Sequence, residues 1–336
     1  MPVRADAEQE PVGPGALRTA ARPVLLALRA LKLGDLLVAV PALRGLRRGF
    51  PEHEIVLAAP AWLAPIVQLV DAVDELLPTP GLDDALRVAR GSVDVAVNLH
   101  GSGDESRRRV DELGARLLIA HRTPNRTDGL PWLAGLHERE RWVRLVSAYG
   151  IAADASDLAI AVPAKPPPVS GAAVVHVGAA YRSREWPADR FARVARELSE
   201  SGLGVVLTGG EPDRERALSI ARGAGLHDHA VLAGSADLTA FAGVVASAKV
   251  LVTVDTGAAH LASAYGTPSV VLFGPAPPEA WGPPPGGPHV VLTDPRLRRG
   301  DAFADRPDPA LLAVTSDEVI DAVRSLLHAT GEELTA

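Results

Sequence analysis

The apolar residues of this chain fall into short runs that alternate with stretches of helical periodicity. Runs such as VLLAL at residues 24–28 and VLVTV at residues 250–254 have the uninterrupted apolar character of strands that are buried on both faces. The segment at residues 36–48, LLVAVPALRGLRR, instead places leucines at helical spacing with arginines opposite. Strands that alternate with helices in this way predict α/β domains built on mostly parallel, doubly wound sheets.

The same patterns predict elements over most of the chain. Strands are expected at residues 23–28, 55–58, 75–77, 93–99, 117–120, 173–177, 204–208, 230–232, 250–254, 269–273 and 289–292. Helices are expected at residues 36–48, 61–70, 82–89, 138–149, 188–201, 213–224, 238–246, 258–265 and 316–328.

A proline-rich segment, PAKPPPVS at residues 163–170, interrupts this alternation and predicts a linker. Two Rossmann-like domains are therefore expected, the first at residues 23–162 and the second at residues 171–315, after a loose tail at residues 1–22. The last helix, at residues 316–330, has an apolar stripe that needs a partner, and we expect it to pack back on the first domain.

Composition and charge narrow the class of protein. The 336 residues carry a net charge of −7, and the one dense basic run is Arg107 to Arg109, so nucleic acid is not an expected partner. The absence of cysteine excludes disulfides and thiolate chemistry. Because no secretory signal or apolar run of membrane-spanning length is found, we expect a soluble, cytoplasmic monomer. Peripheral contact with a membrane surface remains open.

The strongest candidate for chemistry begins where the strand at residues 250–254 ends. Asp255, Thr256 and Gly257 lead from that strand into a helix, and the N-terminal amides of a helix favour an anion such as phosphate. His260 lies one turn further along, on the face of Thr256. The pattern also fits an ordinary helix cap followed by a surface or core histidine.

Two further turns place polar residues after predicted strands of the first half. Gly34 and Asp35 open the helix at residues 36–48, where the carboxylate either caps the helix or projects into a cleft. His100 and Gly101 follow the strand at residues 93–99. Ligand contacts in open α/β sheets lie at such carboxyl ends of strands.

Four blocks of sequence together resemble the heptosyltransferase family, glycosyltransferase family 9. They are LKLGDLLVAVPALRGLRRGFP at 31–51, GAAYRSREWPADRF at 178–191 followed by VVLTGGEPDRE, VDTGAAHLASAYGTPSVVLFGP at 254–275, and ALLAVTSDEVIDAVRSLL at 310–327. These blocks span most of the chain in the order that the family has. The resemblance implies a GT-B fold, in which two Rossmann-like domains face a central cleft, one binding the acceptor and the second the nucleotide-sugar donor.

The resemblance also implies roles for individual residues around the donor. Asp35 matches the catalytic aspartate, and Arg184 stands where the family has a phosphate-binding lysine. The family's phosphate-binding residues match Thr256 and Gly257. Its sugar-binding residues match Asp255 and His260. Arginine in place of lysine keeps the charge but replaces a point donor by a planar fork.

Nucleoside and acceptor contacts are expected in four other turns. Glu211 and Asp213 follow the Gly209-Gly210 turn, where acidic residues bind ribose hydroxyls. Ala236 and Leu238 match the family's adenine-side segment, and Gly34, His100 and Gly101 lie on the acceptor side. The loop at residues 100–103 is only loosely similar to the family's acceptor loop, and the cysteines that many members carry near the carboxyl end are absent.

These residues would support inverting sugar transfer, with Asp35 deprotonating an acceptor hydroxyl while cationic and amide groups hold the departing diphosphate. The resemblance implies ADP-heptose or a similar donor. No Asp-x-Asp pair follows a predicted strand convincingly, so neither a metal nor another cofactor is expected. The acceptor could be lipopolysaccharide, another envelope glycan, or a small aminoglycoside-like or nucleoside molecule.

Simpler interpretations remain open for several of these residues. Arg184 fits a solvated loop arginine, Glu211 and Asp213 fit the charge preference of a helix start, and Ser235 or Asp237 fits a helix cap. A nicotinamide-dependent oxidoreductase is disfavoured because no Gly-x-Gly-x-x-Gly follows the first strand of either half. A sugar-nucleotide-binding protein without catalysis, or a hydrolysing epimerase, is the remaining alternative.

Overall fold

Two parallel five-stranded sheets organise the part of the chain that the computed structural model describes, residues 22–331. The tail predicted at residues 1–22 lies outside this range except for Arg22. The strands are β1 (Val24–Leu28), β2 (Glu54–Ala59), β3 (Glu75–Pro78), β4 (Val95–Asn98), β5 (Leu117–Ile119), β6 (Ala173–His176), β7 (Val205–Thr208), β8 (Val250–Val254), β9 (Ser269–Leu272) and β10 (His289–Leu292).

The helices connect these strands. They are α1 (Leu33–Gly49), α2 (Ala64–Val67), α3 (Asp104–Asp111), α4 (Glu138–Ser147), α5 (Ala188–Glu200), α6 (Arg214–Ala224), α7 (Leu238–Ala246), α8 (Gly257–Tyr265), α9 (Pro278–Trp281), α10 (Pro309–Leu312) and α11 (Ser316–Ala329).

Both sheets have the doubly wound order that the alternating pattern predicts. The first sheet runs β3-β2-β1-β4-β5 and the second runs β10-β9-β8-β6-β7, with every pair parallel. In each sheet the chain first moves to one side of the initial strand and later returns to its other side. The topological switch points, where such sheets bind ligands, therefore lie between β1 and β4 and between β6 and β8.

The chain divides into two compact units. The first comprises residues 22–31, 50–61 and 73–131, and the second comprises residues 32–49, 62–72 and 132–331. This division differs from the predicted boundary, because α1 packs on α4 and α8 and is counted with the second unit. The predicted linker at residues 163–170 has no helix or strand and separates the two sheets in sequence.

The first unit is built around its sheet. All five residues of β1 are buried, and Leu26 packs with Val56, Ala96 and Val110 in one apolar cluster. The continuous apolar run of β1 is explained by its central place in this sheet, where both faces are covered.

The second unit buries the last helix, and here the prediction that it would pack on the first domain is wrong. The apolar stripe of α11 packs on α5 and on the sheet face of β8, β9 and β10. Val319, Val323 and Leu327 share a core cluster with Val175 and Val252. The Thr315 hydroxyl accepts from the Glu318 amide while the Glu318 carboxylate accepts from the Thr315 amide, so a capping box fixes the start of α11.

Three local predictions also differ from the structure. Residues 82–89 are irregular instead of helical, and the carbonyls of Leu82 and Asp83 accept hydrogen bonds from the Arg109 guanidinium at 2.9 and 2.7 Å. The expected strand at residues 230–232 is reduced to a single bridge between Val231 and Leu207. The expected helix at residues 61–70 begins as a 3-10 turn and ends at Val67. Among residues 22–331, no helix has the length and apolar character needed to cross a membrane.

Candidate functional site

The switch point of the second sheet carries the best-formed candidate site. The turn at Arg182–Arg184 follows β6, and Asp255 follows β8, its neighbour in the sheet. Parallel pairing sets the ends of the two strands side by side, since His176 pairs with Thr253. Arg184 and Asp255 therefore reach each other although 71 positions separate them.

Arg184 and Asp255 form an ion pair with little access to water. Nη1 of Arg184 lies 3.2 Å from Oδ2 of Asp255 and donates to the Asp255 backbone carbonyl at 3.1 Å. Asp255 is only 4% exposed, and within residues 22–331 its Oδ2 receives no well-directed hydrogen bond. A buried carboxylate oxygen in this condition is suited to a donor from a ligand, such as a sugar hydroxyl.

Burial and two neighbouring charges affect the pKa of the Asp255 carboxyl, and they do so in opposite directions. Burial raises the pKa of the Asp255 carboxyl, the Arg184 guanidinium lowers it, and the negative charge of Asp35 raises it. Asp35 directly follows Gly34, which lies against His260 of the helix after Asp255, so the carboxylate predicted as the base belongs to the same neighbourhood as the Arg184 and Asp255 pair. A cationic or hydrogen-bonding ligand group at this point would relieve the burial of negative charge.

Helix α8 begins beside this pair, at the turn where the sequence predicted an anion site. Thr256 is the N-cap, with extended backbone, and its hydroxyl lies 3.2 Å from that of Thr253 instead of capping its own helix. The first amides of α8, including that of Gly257, have no carbonyl one turn earlier within the helix. They supply hydrogen-bond donors and a positive dipole end next to the Arg184 guanidinium.

The start of α1 lies against the start of α8, and two glycines permit this approach. A Cβ on Gly34 would lie 2.7 Å from Cδ2 of His260, and a Cβ on Gly257 would lie 2.8 Å from Cδ2 of Leu33. His260 is buried and also packs edge-on to Trp281, with ring centroids 6.2 Å apart. His260 therefore packs between the two helix starts, and its predicted contact with the donor sugar stays a prediction.

Asp35 stands in the first turn of α1, half-buried. Its Oδ2 accepts the backbone N–H of Lys32, the residue before the helix, at 3.3 Å. The helix begins three residues earlier than predicted, so Asp35 is its third residue and not the N-cap, and this contact is the one that an acidic residue makes at the third position of a capping box. The contact fixes the carboxylate at the helix start that meets α8.

The predicted nucleoside residues form a second neighbourhood at the same edge of the sheet. Oδ2 of Asp213 accepts the Gly210 N–H at 2.8 Å, and Glu211 lies against Gly234, whose φ of +71° favours glycine. The Gly234 N–H donates to the Gly209 carbonyl at 3.2 Å, which ties together the turns after β7 and before α7.

Ala236 and Leu238 lie at the start of α7, within this second neighbourhood. Asp237 between them is the N-cap, since its carboxylate accepts the Ala240 N–H at 2.7 Å. The simple capping interpretation therefore holds for Asp237. Ala236 and Leu238 stay partly exposed on either side of it.

His100 and Gly101, the predicted acceptor residues, belong to the first unit. They follow β4 at the switch point of the first sheet. The side chain of Asn98 organises this loop, because it accepts the His100 N–H at 3.0 Å and donates to the Ser106 hydroxyl at 3.0 Å. In the described residues there is no group of three or more His, Asp or Glu side chains that could hold a metal ion.

Two residues near Asp35 were missed by the sequence reasoning. The Lys32 ammonium lies 4.4 Å from the ring centroid of Tyr181 and 3.4 Å from its hydroxyl. Lys32 lies two residues before Gly34 and Tyr181 lies three residues before Arg184, so both belong to sequence blocks that carry the family resemblance. Their contact joins residues 149 positions apart, which no local pattern reveals.

Comparison with known proteins agrees with this arrangement. The family model described as glycosyltransferase family 9 (heptosyltransferase) matches residues 149–293. Lipopolysaccharide heptosyltransferase 2 of Escherichia coli (strain K12) is 24% identical over 344 residues, a similarity that covers 88% of this chain and 96% of that protein.

Solved structures show the fold. The structure of E. coli ADP-heptose lps heptosyltransferase II superposes with a TM-score of 0.74 at 22% identity, and covers 92% of this chain and 99% of that one. The E. coli heptosyltransferase WaaC with ADP superposes with a TM-score of 0.68 at 20% identity, and covers 90% and 99% of the two chains. Two Rossmann-like sheets and similarity along most of the sequence agree on the fold: the chain has the GT-B fold of these heptosyltransferase structures, and its residues 149–293 match the family model of glycosyltransferase family 9.

Proposed function

We propose that this protein transfers a heptose from ADP-heptose to a hydroxyl of a glycan acceptor, with inversion at the anomeric carbon. One observation carries the proposal above all. The helix start that bears Asp35 lies against the helix start that bears Thr256 and Gly257, beside the Arg184 and Asp255 pair. This arrangement supports a base for the acceptor and a site for the leaving diphosphate within one neighbourhood.

The chemical step follows from these positions. Asp35 takes the proton of the acceptor hydroxyl, and the acceptor oxygen attacks the anomeric carbon from the side opposite the diphosphate. The bond from the anomeric carbon to the phosphate oxygen breaks, and its electron pair leaves on that oxygen, which gives ADP one further negative charge. The α8 amides and the Arg184 guanidinium stabilise this charge as it develops. We infer that these protein groups make a metal ion unnecessary, so that transfer should persist in excess EDTA.

We assign the sugar of the donor to the neighbourhood of Asp255 and the nucleoside to the neighbourhood of Glu211 and Asp213. The Asp255 oxygen without a hydrogen-bond donor would accept a hydroxyl of the heptose, and His260 would bound this pocket through its packing on Gly34. Glu211 and Asp213 would bind the ribose, and the main chain at Ala236 and Leu238 would contact the base.

The names of the related proteins support the substrates. The E. coli relative is a lipopolysaccharide heptosyltransferase, one solved neighbour is described as an ADP-heptose enzyme, and another was solved with ADP. We infer an adenine nucleotide donor and a glycan acceptor of the lipopolysaccharide kind. His100 and Gly101 remain proposed acceptor contacts.

A comparison of donors tests the proposal. The wild-type protein is incubated with a heptose-deficient lipopolysaccharide acceptor and either ADP-heptose or UDP-glucose. The mass of the product is then measured by mass spectrometry. We expect the mass of one heptose to be added from ADP-heptose and none of a hexose from UDP-glucose. Preference for the uridine donor, or hydrolysis of ADP-heptose without a glycosylated product, would contradict the proposal.

A further inference from the structure

We propose that Tyr181 and Phe303 form a platform for the sugar ring of the acceptor, and that Phe303 is its main contact. This aromatic platform, defined by those two residues, is not part of the donor chemistry described above. The inference rests on the proposed function, because it names the surface on which the acceptor would lie while Asp35 takes its proton.

The two rings pack against each other edge to face. Their centroids are 4.9 Å apart and their planes meet at 83°, the edge-to-face geometry that aromatic pairs prefer. Tyr181 is partly buried, whereas Phe303 is 74% exposed. One face of a large apolar ring is therefore presented to solvent while the ring is held by its neighbour.

The loop that bears Phe303 is fastened close to the site. The Ser183 hydroxyl donates to the Ala302 carbonyl at 2.6 Å, and the Ser183 carbonyl accepts the Asp308 N–H at 2.9 Å. The Phe303 N–H itself donates to the Asp301 carboxylate at 2.9 Å. These contacts hold the loop on the residue that directly precedes Arg184, so the exposure of Phe303 is built into an ordered loop.

Tyr181 connects the platform to both reacting partners. Its carbonyl accepts the Arg184 N–H at 3.0 Å, on the side of the leaving diphosphate. Its hydroxyl and ring contact the Lys32 ammonium at 3.4 and 4.4 Å, and the Lys32 N–H donates to Asp35 at 3.3 Å. Lys32 thus connects the platform to the proposed base, and a backbone hydrogen bond connects the platform to Arg184, the proposed phosphate contact.

A pyranose ring is the occupant that suits this position. A single exposed phenylalanine is common on protein surfaces and needs no explanation. Phe303 is different, because it packs on Tyr181, which contacts Lys32 next to the proposed base. The C–H face of a sugar is apolar and packs on an aromatic face, while its hydroxyls remain free to reach a carboxylate. Because Asp35 acts on the acceptor and not on the donor, the ring on the platform is assigned to the acceptor.

The experiment compares Phe303→Ala with Phe303→Trp and with Leu297→Ala. Leu297 is a matched control, since it is 48% exposed in the segment that leads to the same loop. The first measurement is the KM for an oligosaccharide released from heptose-deficient lipopolysaccharide and the KM for ADP-heptose. The second measurement does not need turnover: saturation-transfer NMR and titration of the same oligosaccharide with the ADP-saturated protein.

We expect Phe303→Ala to raise the acceptor KM and the oligosaccharide Kd by about fivefold to tenfold, as the loss of one aromatic contact predicts. The donor KM should not change, Phe303→Trp should restore acceptor binding, and Leu297→Ala should behave as wild type. The platform is refuted if the oligosaccharide binds Phe303→Ala as tightly as wild type, if it fails to bind the wild-type protein, or if the donor KM rises instead. Failure of the proposed function is distinguishable, because it would appear as absent transfer despite normal oligosaccharide binding.

Discussion

At the scale of single residues, the proposed donor site centres on the ion pair of Arg184 and Asp255. One nitrogen of the guanidinium, Nη1, contacts both the carboxylate and the backbone carbonyl of Asp255. The other nitrogens of the planar group are not used in this pair, and we propose that they face the donor phosphates. The geometry explains why a buried aspartate is tolerated at this position, since an unpaired carboxylate there would be costly.

Arg184→Ala should weaken binding of ADP-heptose about tenfold to a hundredfold, because one charge-assisted hydrogen bond to a phosphate is lost. Arg184→Lys should fall between Ala and wild type. Calorimetric titration with ADP gives these affinities, and Arg182→Ala, an exposed arginine two residues earlier, is the control. Equal affinities for Arg184→Ala and Arg182→Ala would remove Arg184 from the donor site.

The sequence identified this pair as candidates but could not show their contact. Asp255 and Arg184 lie at the ends of different strands, and only the parallel register of β6 and β8 places them side by side. Lys32 and Tyr181 were not identified for a related reason. Nothing in a lysine before a glycine turn, or in a tyrosine before an arginine, specifies that the two side chains meet.

At the scale of elements, the meeting of α1 and α8 depends on the absence of side chains at Gly34 and Gly257. A methyl group at either position would overlap a neighbouring side chain of the opposite helix. These glycines are required for close approach and not for an unusual φ, because neither has a positive φ. The sequence predicted Gly257 as a phosphate contact and Gly34 as an acceptor-side residue, and it gave no sign of this close approach between helices.

Gly34→Ala should therefore disturb the site more than the fold. We expect the new methyl group to displace His260, to lower the free energy of unfolding by about 1–3 kcal/mol and to reduce transfer at least tenfold. Gly204→Ala is the control, since nothing lies within 4 Å of the added Cβ. Urea unfolding and transfer assays on both variants provide the comparison, and full activity of Gly34→Ala would show that the helix starts need not meet so closely.

Helices and strands were predicted correctly where the apolar pattern was long. The predictions failed where residues distant in sequence determine the local structure. The β8 and α8 segments follow their apolar runs closely. Residues 82–89 have the composition of a helix, but Arg109 takes up two of their carbonyls from 26 and 27 positions away. The apolar stripe of α11 was evident in the sequence, but the surface that covers it was not. A stripe shows that a helix face is buried and does not show which element it packs against.

At the scale of the whole molecule, the duplicated alternation was sufficient to predict two doubly wound sheets. The compact units were not predictable, since the proline-rich segment is an obvious boundary in sequence while the packing of α1 on α4 and α8 is a tertiary property. Stability is also a property of the whole molecule, and a few partly buried histidines make it depend on pH.

His176 provides the sharpest case of this dependence. It ends β6, accepts or donates one hydrogen bond with Thr208 at 3.0 Å and packs on Phe241, and burial lowers its pKa to about 4. Because the unfolded chain binds the proton more readily, its stabilising effect is complete above about pH 6.5 and is lost as the pH falls towards 4.

Between pH 7.5 and pH 5, this one histidine should lower the free energy of unfolding by about 2 kcal/mol. Urea titrations of wild type and His176→Gln at both pH values measure the effect. The difference between the two pH values should shrink in His176→Gln by that amount, whatever its stability at pH 7.5. An unchanged difference would show that the pKa of His176 is not depressed in the folded protein.

The central claim is that Asp35 acts on the acceptor while the second sheet holds the donor. It is tested by measuring single-turnover transfer from ADP-heptose and the Kd for ADP-heptose on the same preparations of wild type, Asp35→Ala and Asp189→Asn. Asp189, an exposed carboxylate in the first turn of α5, is the control. The account predicts that Asp35→Ala binds the donor within about threefold of wild type and transfers about a hundredfold to ten-thousandfold more slowly, as loss of a general base does. Weakened donor binding with turnover retained would contradict it.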